Sequence, residues 1–259
     1  LLINFLTDNL KDEYLKRKIN DCSDSELMAA ALGVYLEKGF SLPQALIKAY
    51  PLFTGAFSCV ALTKDTMIAF RDPCGIRPLV LGKYQDAFVF ASETCSLYAM
   101  GDKFIREVKP GEIIILSKFG SKVSKSTLKQ GFQVKLESKI LIKVKPKFDI
   151  FEFTYFARHE SIILGKLVYQ VRKNFGKILA KEAPKDVDLV IPVPESGIPA
   201  GLGYAQELNI PFEIALMKNR YIHRTFIEPA QVDRDQKVKM KLIPLKEIIK
   251  GKKVAVIDD

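Results

Sequence analysis

The chain has 259 residues, room for two ordinary domains, and 48% of them are hydrophobic, with 17 Phe and 9 Tyr, which excludes a disordered chain. No apolar run reaches the ~18 residues that a membrane helix requires, and the opening Leu1-Leu2-Ile3-Asn4-Phe5 has neither an initiator Met nor a basic-then-apolar leader pattern, so the chain reads as an internal fragment. Lys and Arg number 40 against 30 Asp and Glu, a formal net charge of +10 that fits nucleic acid, an anionic small molecule or a merely solvated surface.

In chain order, Ser23-Asp24-Ser25-Glu26 ahead of the apolar stretch 27–32 predicts a helix. Ser23 or Asp24 can cap it, and Glu26 stands three residues after Ser23, as a capping box requires. A second helix is expected over 42–50, entered at Ser41 and Pro43. Strands follow over 56–62, 66–71, 79–83, 87–91 and 112–117, separated by turns at Asp72-Pro73, Gly75, Gly82, Pro110-Gly111 and Phe119-Gly120. Helices and then short strands imply helices layered on antiparallel sheets. Across 118–147 Lys recurs at 118, 122, 125, 129, 135, 139, 143, 145 and 147 without an RNA-binding motif, which reads as a solvated loop or edge strands. Cys22, Cys59, Cys74 and Cys95 show no CxxC pair and no metal-ligand spacing, so reduced thiols and a cytoplasmic protein are expected.

Near Lys145-Pro146-Lys147 the Lys-rich character gives way to an aromatic segment, and a domain boundary is placed there, between 1–146 and 147–259. A helix is expected over 167–179, with Leu167, Val168, Val171, Phe175, Ile178 and Leu179 packing on a sheet and Lys166, Arg172, Lys173 and Lys177 facing away. The buried strand 187–193 runs straight into Pro194-Glu195-Ser196-Gly197 and a small-residue helix. Such a joint converges backbone N–H groups and a helix dipole on an anion, although many such joints hold nothing. There Gly197 allows close backbone approach, and the Ser196 hydroxyl can donate to phosphate or ligate Mg²⁺. A parallel strand over 210–216 precedes Lys218-Asn219-Arg220-Tyr221-Ile222-His223-Arg224, a cation-dense connection suited to phosphate. Last comes Val254-Ala255-Val256-Ile257-Asp258-Asp259, an apolar run ending in paired carboxylates. At the carboxyl edge of a parallel sheet such acids suit sugar hydroxyls or Mg²⁺; otherwise they are a strand followed by a polar turn.

Taken together, Asp72-Pro73-Cys74-Gly75-Ile76-Arg77-Pro78-Leu79, Ala91-Ser92-Glu93-Thr94, Pro110-Gly111-Glu112, Pro194-Glu195-Ser196-Gly197-Ile198-Pro199-Ala200-Gly201, Lys218-Asn219-Arg220-Tyr221 with Arg224-Thr225-Phe226-Ile227, and the closing acids resemble the amidophosphoribosyltransferase family. The resemblance runs from Ser23 to Asp259. It implies a partial N-terminal-nucleophile glutaminase sandwich (αββα) followed by a partial α/β type I phosphoribosyltransferase parallel sheet. It implies ammonia transfer from glutamine to 5-phosphoribosyl 1-pyrophosphate, the opening step of purine biosynthesis. By position in the motifs, Asp24 would hold the glutamine α-amino group, with helix capping as its plainer role. Glu195, Gly197, Lys218, Arg220, Tyr221, Arg224, Asp258 and Asp259 would hold the phosphoribosyl substrate, and Ser196, Asp258 and Asp259 would hold Mg²⁺. Arg77 and Glu93 read as structural, and Cys74 and Cys95 as small buried hydrophobes.

The chain departs from the family pattern at three positions: Asp149 stands where many members have an iron–sulfur cysteine, so no cluster is expected, His159 stands for Pro and His223 for Gly. The family further implies purine nucleotides as feedback inhibitors and a homo-oligomer, with no nucleic-acid or membrane partner. The competing class is a non-catalytic protein that binds phosphoribosyl pyrophosphate for regulation. A basic nucleic-acid binder is a third.

The family's glutaminase uses an N-terminal Cys whose α-amino group is the base for its own thiol. No such residue, no oxyanion-hole segment and no phosphate loop after the closing acids is found in this sequence. A polypeptide of these residues alone is therefore expected to be inactive and to release no glutamate from glutamine. Glutamate release that tracks the purified polypeptide would overturn this.

Overall fold

Two serine caps start the helices that open the chain. Glu26 accepts hydrogen bonds from the Ser23 N–H (2.8 Å) and hydroxyl (2.7 Å), launching α2 (Asp24–Glu37) behind the short α1 (Leu2–Asn9). Ser23 is the cap, and Asp24 is the exposed first residue of the helix. Gln44 accepts from the Ser41 N–H at 3.0 Å at the head of α3 (Leu42–Ala49). The computed structural model describes residues 1–11, 16, 18–101, 103–119, 133–219 and 241–259. These fall into two units, one of 1–92 with 96–149 and one of 93–95 with 150–259.

In the first unit, β1 (Ser58–Leu62), β2 (Thr66–Arg71), β6 (Glu112–Phe119) and β7 (Gln133–Ile140) form one antiparallel sheet in the order β1-β2-β6-β7. A second sheet has the order β4-β3-β5, from Ala87–Ala91, Val80–Tyr84 and Lys103–Glu107. Strand alternation divides the core. Ile68, Phe70 and Ile113 pack against the helices with Leu46, Tyr50 and Phe53, whereas Ala69, Ile114 and Leu116 pack with Leu79, Leu81 and Val108 of the second sheet. Buried on both faces, β6 reads as the unbroken apolar run Ile113-Ile114-Ile115-Leu116. The fully buried Leu97, on α4 (Thr94–Ala99), covers the outer face of the second sheet at Gly82. Helix, sheet, sheet and a short helix are thus the layers of this unit.

The strands expected in this unit all form, within two residues at each end. The sequence reading missed α1 and β5, and it left the Lys-rich stretch between loop and edge strand. Its described part, β7, is the edge strand. The Asp72–Arg77 turn is held from both sides. The Asp72 carboxylate accepts from the Cys74 N–H at 2.9 Å, and the buried Arg71 guanidinium donates to the carbonyls of Gly75, Arg77 and Val108 at 2.7–2.8 Å.

In the second unit, β10 (Leu189–Pro192) and β13 (Val254–Ile257) pair in parallel, between helices α5 (Val168–Glu182) and α6 (Ile198–Leu208) in sequence on one side and the short α7 (Lys246–Ile249) on the other. The expected strand over 210–216 shrinks to a single parallel bridge, Val190 to Phe212. Beyond it Leu216–Lys218 (β11) turns to pair antiparallel with Leu242–Pro244 (β12). The hairpin Ile162–Ile163 (β8) and Lys166–Leu167 (β9) leads into α5. Glu93 and Thr94 belong to this unit: Glu93 accepts from Arg158 N–H (2.8 Å) and the Ser161 hydroxyl (2.6 Å), and Thr94 Oγ1 from Ile162 N–H (2.8 Å).

The buried stripe of α5 follows the expected apolar one only in part: Val168, Val171 and Phe175 pack with Phe153 and Ile163. Val168, Arg172, Gly176 and Ala180 are buried, while Ile178 and Leu179 are exposed. Small residues at that stripe let α6 approach too closely for leucines to fit between the helices, and Arg172 goes in because carbonyls wait for it: Phe153 O at 2.5 Å and Ala157 O at 2.8 Å.

Glu112, of Pro110-Gly111-Glu112, is 3% exposed and receives both terminal nitrogens of Arg106 at 2.8 Å and the Lys109 N–H at 2.7 Å. Gly111 has φ +68°, and a side chain there would collide with Ile142 O. Burial alone would raise the Glu112 carboxyl, but the Arg106 and Lys109 hydrogen bonds outweigh it and hold the group below its ordinary value. A lowered folded value means stability present above the unfolded value of ~4.3 and lost as pH falls through the folded one. Glu112→Gln is expected to cost about 1.5–3 kcal/mol in urea melts at neutral pH. It should also flatten the acid limb of the stability curve, so an unchanged acid limb would contradict the assignment.

Candidate functional site

Because β10 and β13 are parallel neighbours, both chains leave the sheet at one edge. From β10 comes Val193 and then the loop Pro194-Glu195-Ser196-Gly197, whose Pro194–Glu195 peptide is cis; from β13 come Asp258 and Asp259. The ladder extends one step beyond β10, with Val193 N–H donating to Ile257 O at 2.8 Å. Loop and acids therefore emerge side by side. Glu195, Ser196, Lys218, Asp258 and Asp259 line one cavity of about 530 Å³. Phe151, Thr154, Tyr155 and Leu242 give it a less polar wall, and Lys241 adds a second cation. Sequence reasoning missed Lys241, Phe151 and Tyr155; the exposed aromatics of 148–156 were the available signal.

Burial, joined by the adjacent Asp259 carboxylate, pushes the Asp258 carboxyl up from its ordinary value, against an opposing hydrogen bond from the Asp259 amide. Paired acids of this kind gain from a hard cation or from hydroxyl donors. The oxygens of Asp258, Asp259 and Ser196 fit Mg²⁺, which is commonly held by one or two carboxylates, waters and the phosphates of a substrate. Among the described residues, no group of three or more His, Cys, Asp or Glu gathers for a metal.

Gly197 does not line the cavity. It is buried, and a Cβ there would sit 2.6 Å from Ile257 O and 2.8 Å from Val193 O. The close approach it permits is to the protein's own strands. Gly197 also precedes α6, whose N-terminus has no side-chain cap, so the positive end of the helix adjoins the loop. The height of α6 is fixed by backbone contact. A Cβ at Gly203 would collide with Lys173 O, one at Gly176 with Ala200 O, and one at Gly201 would press on Phe212 and Pro192 at 3.1 and 3.3 Å.

Of the other expected site residues, Asp24 is in the first unit, exposed on α2. Arg220, Tyr221 and Arg224, with His223, lie outside the described residues.

Residues 4–99 match the glutamine amidotransferase domain family. Along nearly its whole length the chain is homologous to amidophosphoribosyltransferases. It is 40% identical to the one from Synechococcus elongatus, over 98% of this chain and 50% of that protein. It is 39% identical to the chloroplastic amidophosphoribosyltransferase 1 of Arabidopsis thaliana, over 100% of this chain and 43% of that one. In fold it superposes on the glutamine phosphoribosylpyrophosphate amidotransferase of B. subtilis, solved with ADP and GMP, with a TM-score of 0.76 and 34% identity over 98% of this chain and 53% of that chain. The chain spans about half the length of the curated relatives it matches.

The two kinds of helical glycine make opposite predictions. Gly33, inside α2, has nothing within 4 Å of a would-be Cβ. Gly33→Ala should stabilise the protein by about 0.5–1 kcal/mol through helix propensity. Gly203→Ala meets a carbonyl instead, so overpacking of about 1–3 kcal/mol should exceed that gain. Denaturant melts showing both alanines stabilising would disprove the close contact.

Proposed function

We propose that this chain is part of an amidophosphoribosyltransferase, with residues 1–146 contributing to a glutaminase domain and 147–259 to a type I phosphoribosyltransferase domain. The observation that carries the reading is the meeting, in one cavity, of the Asp258-Asp259 pair, the loop residues Glu195 and Ser196 ahead of an uncapped helix, and Lys218. A phosphorylated sugar needs those three things: acceptors for vicinal hydroxyls, amides and a hydroxyl for phosphate oxygens, and compact positive charge.

In this reading Asp258 and Asp259 accept hydrogen bonds from the ribose hydroxyls and stabilise the positive charge that develops on the ring as pyrophosphate leaves C1. The amides of 195–197 and the Ser196 hydroxyl hold the leaving pyrophosphate, assisted by Lys218, Arg220, Tyr221 and Arg224. Bound Mg²⁺, held by Asp258, Asp259 and Ser196, would neutralise leaving-group charge. Ammonia then takes the vacated carbon, giving 5-phosphoribosylamine. No protein nucleophile is needed at this site, in keeping with the absence of Cys from residues 150–259. Asp24 would hold the glutamine α-amino group in the other domain. Purine nucleotides as feedback ligands, a homo-oligomer and a cytoplasmic site of action complete the proposal; the solved B. subtilis relative carries ADP and GMP.

In the complete protein, Asp258→Asn with Asp259→Asn is expected to lower phosphoribosyl transfer at least 10- to 100-fold, the worth of one charged hydrogen bond. Basal glutamine hydrolysis should persist. Equal loss of both activities would assign the pair to folding instead.

A further inference from the structure

A second cavity of about 120 Å³ shares Glu195 and Ser196 with the crevice. His159 forms part of its wall with Arg158, Glu160 and Arg172. The imidazole bridges two partners: Nδ1 is 3.0 Å from Nη1 of Arg172, and Nε2 is 2.9 Å from the carbonyl oxygen of Glu195. Arg can only donate, so Nδ1 must accept; Nε2 then carries the proton and donates to Glu195. That carbonyl also receives the Ile198 N–H at 3.3 Å, the first amide of α6.

The bridge is anchored at its far end. Arg172 is 3% exposed, and it gives its Nε–H to Phe153 O and an Nη2–H to Ala157 O. The segment bearing His159 is pinned as well: its own carbonyl accepts from Tyr169 N–H at 2.9 Å, and the flanking Arg158, Ser161 and Ile162 are held by Glu93 and Thr94. A ring fixed on a fixed segment can fix the loop it touches. From these contacts we infer that His159 is a positioning residue: in its Nε2–H tautomer it links the buried Arg172 to the Glu195 carbonyl and sets the backbone of the loop that faces the crevice.

The surrounding charges agree with a neutral ring. Burial and the Arg172 charge hold the imidazole below its ordinary value, and they prevail over the Glu195 carbonyl bond and the carboxylates of Glu160 and Glu195. Arg158 is occupied by Glu160 at 2.7 Å. A doubly protonated ring would present a second donor to Arg172, which has no lone pair to offer. In sequence His159 resembled a replaced proline without a task; its partners, 13 and 36 residues away, give it one.

The inference rests on the proposed anion site for its functional consequence, but its structural part is tested separately. The protein has 2 His, so the imidazole of His159 is identified in long-range ¹⁵N–¹H spectra by comparison with His159→Gln. The expected signature is an unprotonated Nδ1 and a protonated Nε2. His159→Gln keeps an N–H able to reach Glu195 O, and His159→Leu does not. Hydrogen exchange at the Ser196 and Gly197 amides of the intact protein should match wild type in the Gln variant and be faster in the Leu variant. Mg²⁺-pyrophosphate, titrated by calorimetry, should bind about tenfold more weakly to the Leu variant, the worth of a typical hydrogen bond, with near-wild-type binding to Gln. An Nδ1–H tautomer, or loop exchange unchanged in His159→Leu, would overturn the inference. If wild type fails to bind pyrophosphate, the reading of the crevice fails, and tautomer and exchange still decide whether His159 holds the loop.

Discussion

A guanidinium keeps its charge at every ordinary pH, so burying one obliges the surrounding chain to bring acceptors to it. Arg172 imposes that obligation on the second unit. Its acceptors are two backbone carbonyls at the ends of the π-helical turn Glu152–Phe156 region and one imidazole nitrogen. Meeting it fixes the path of the chain from Phe153 to His159 and, through the ring, the loop at the head of α6. The first unit solves the same problem at Arg71, where two carbonyls of the 72–77 turn and that of Val108 converge on one side chain. In both places a long polar residue organises loops that have no ladder of their own.

The remaining order near the crevice comes from backbone meeting backbone. Where α6 crosses α5, glycines take the positions that side chains would fill elsewhere, and Gly197 does the same between the loop and β13. Side-chain packing admits many near-equivalent arrangements through rotamer choice. Contact between main chains admits few, and a loop that presents amides to an anion benefits from the difference.

Much of the fold was legible because local signals agreed with tertiary need. The Ser-x-x-Glu cap at Ser23, the helix entry at Ser41 and Pro43, the apolar run in β6 and the turn residues at 72–75 all marked real elements. The failures have physical reasons. On α5 the apolar period held for Val168, Val171 and Phe175 but not beyond them, because a glycine-lined contact can bury an arginine supplied with acceptors and leave Ile178 in solvent. The 210–216 strand shrank to a bridge because the chain turns away to pair with 242–244 after only Phe212 has met Val190. At the site, the acids and the loop were readable because their types and order are local. His159 and Lys241 were not, since their importance comes from partners brought by folding, and no spacing along the chain announces them.

The three residues Glu93–Cys95 give the molecule a further property, that of resisting dissection. They belong to the second unit although the chain on either side of them belongs to the first. A protein cleaved between Asp149 and Ile150 would leave Glu93 and Thr94 on the wrong piece, and Arg158, Ser161 and Ile162 would lose acceptors 65 to 68 residues upstream. During synthesis those acceptors leave the ribosome well before the groups they serve. The second unit thus draws the acceptors for Arg158, Ser161 and Ile162 from a tripeptide made well before the rest of it.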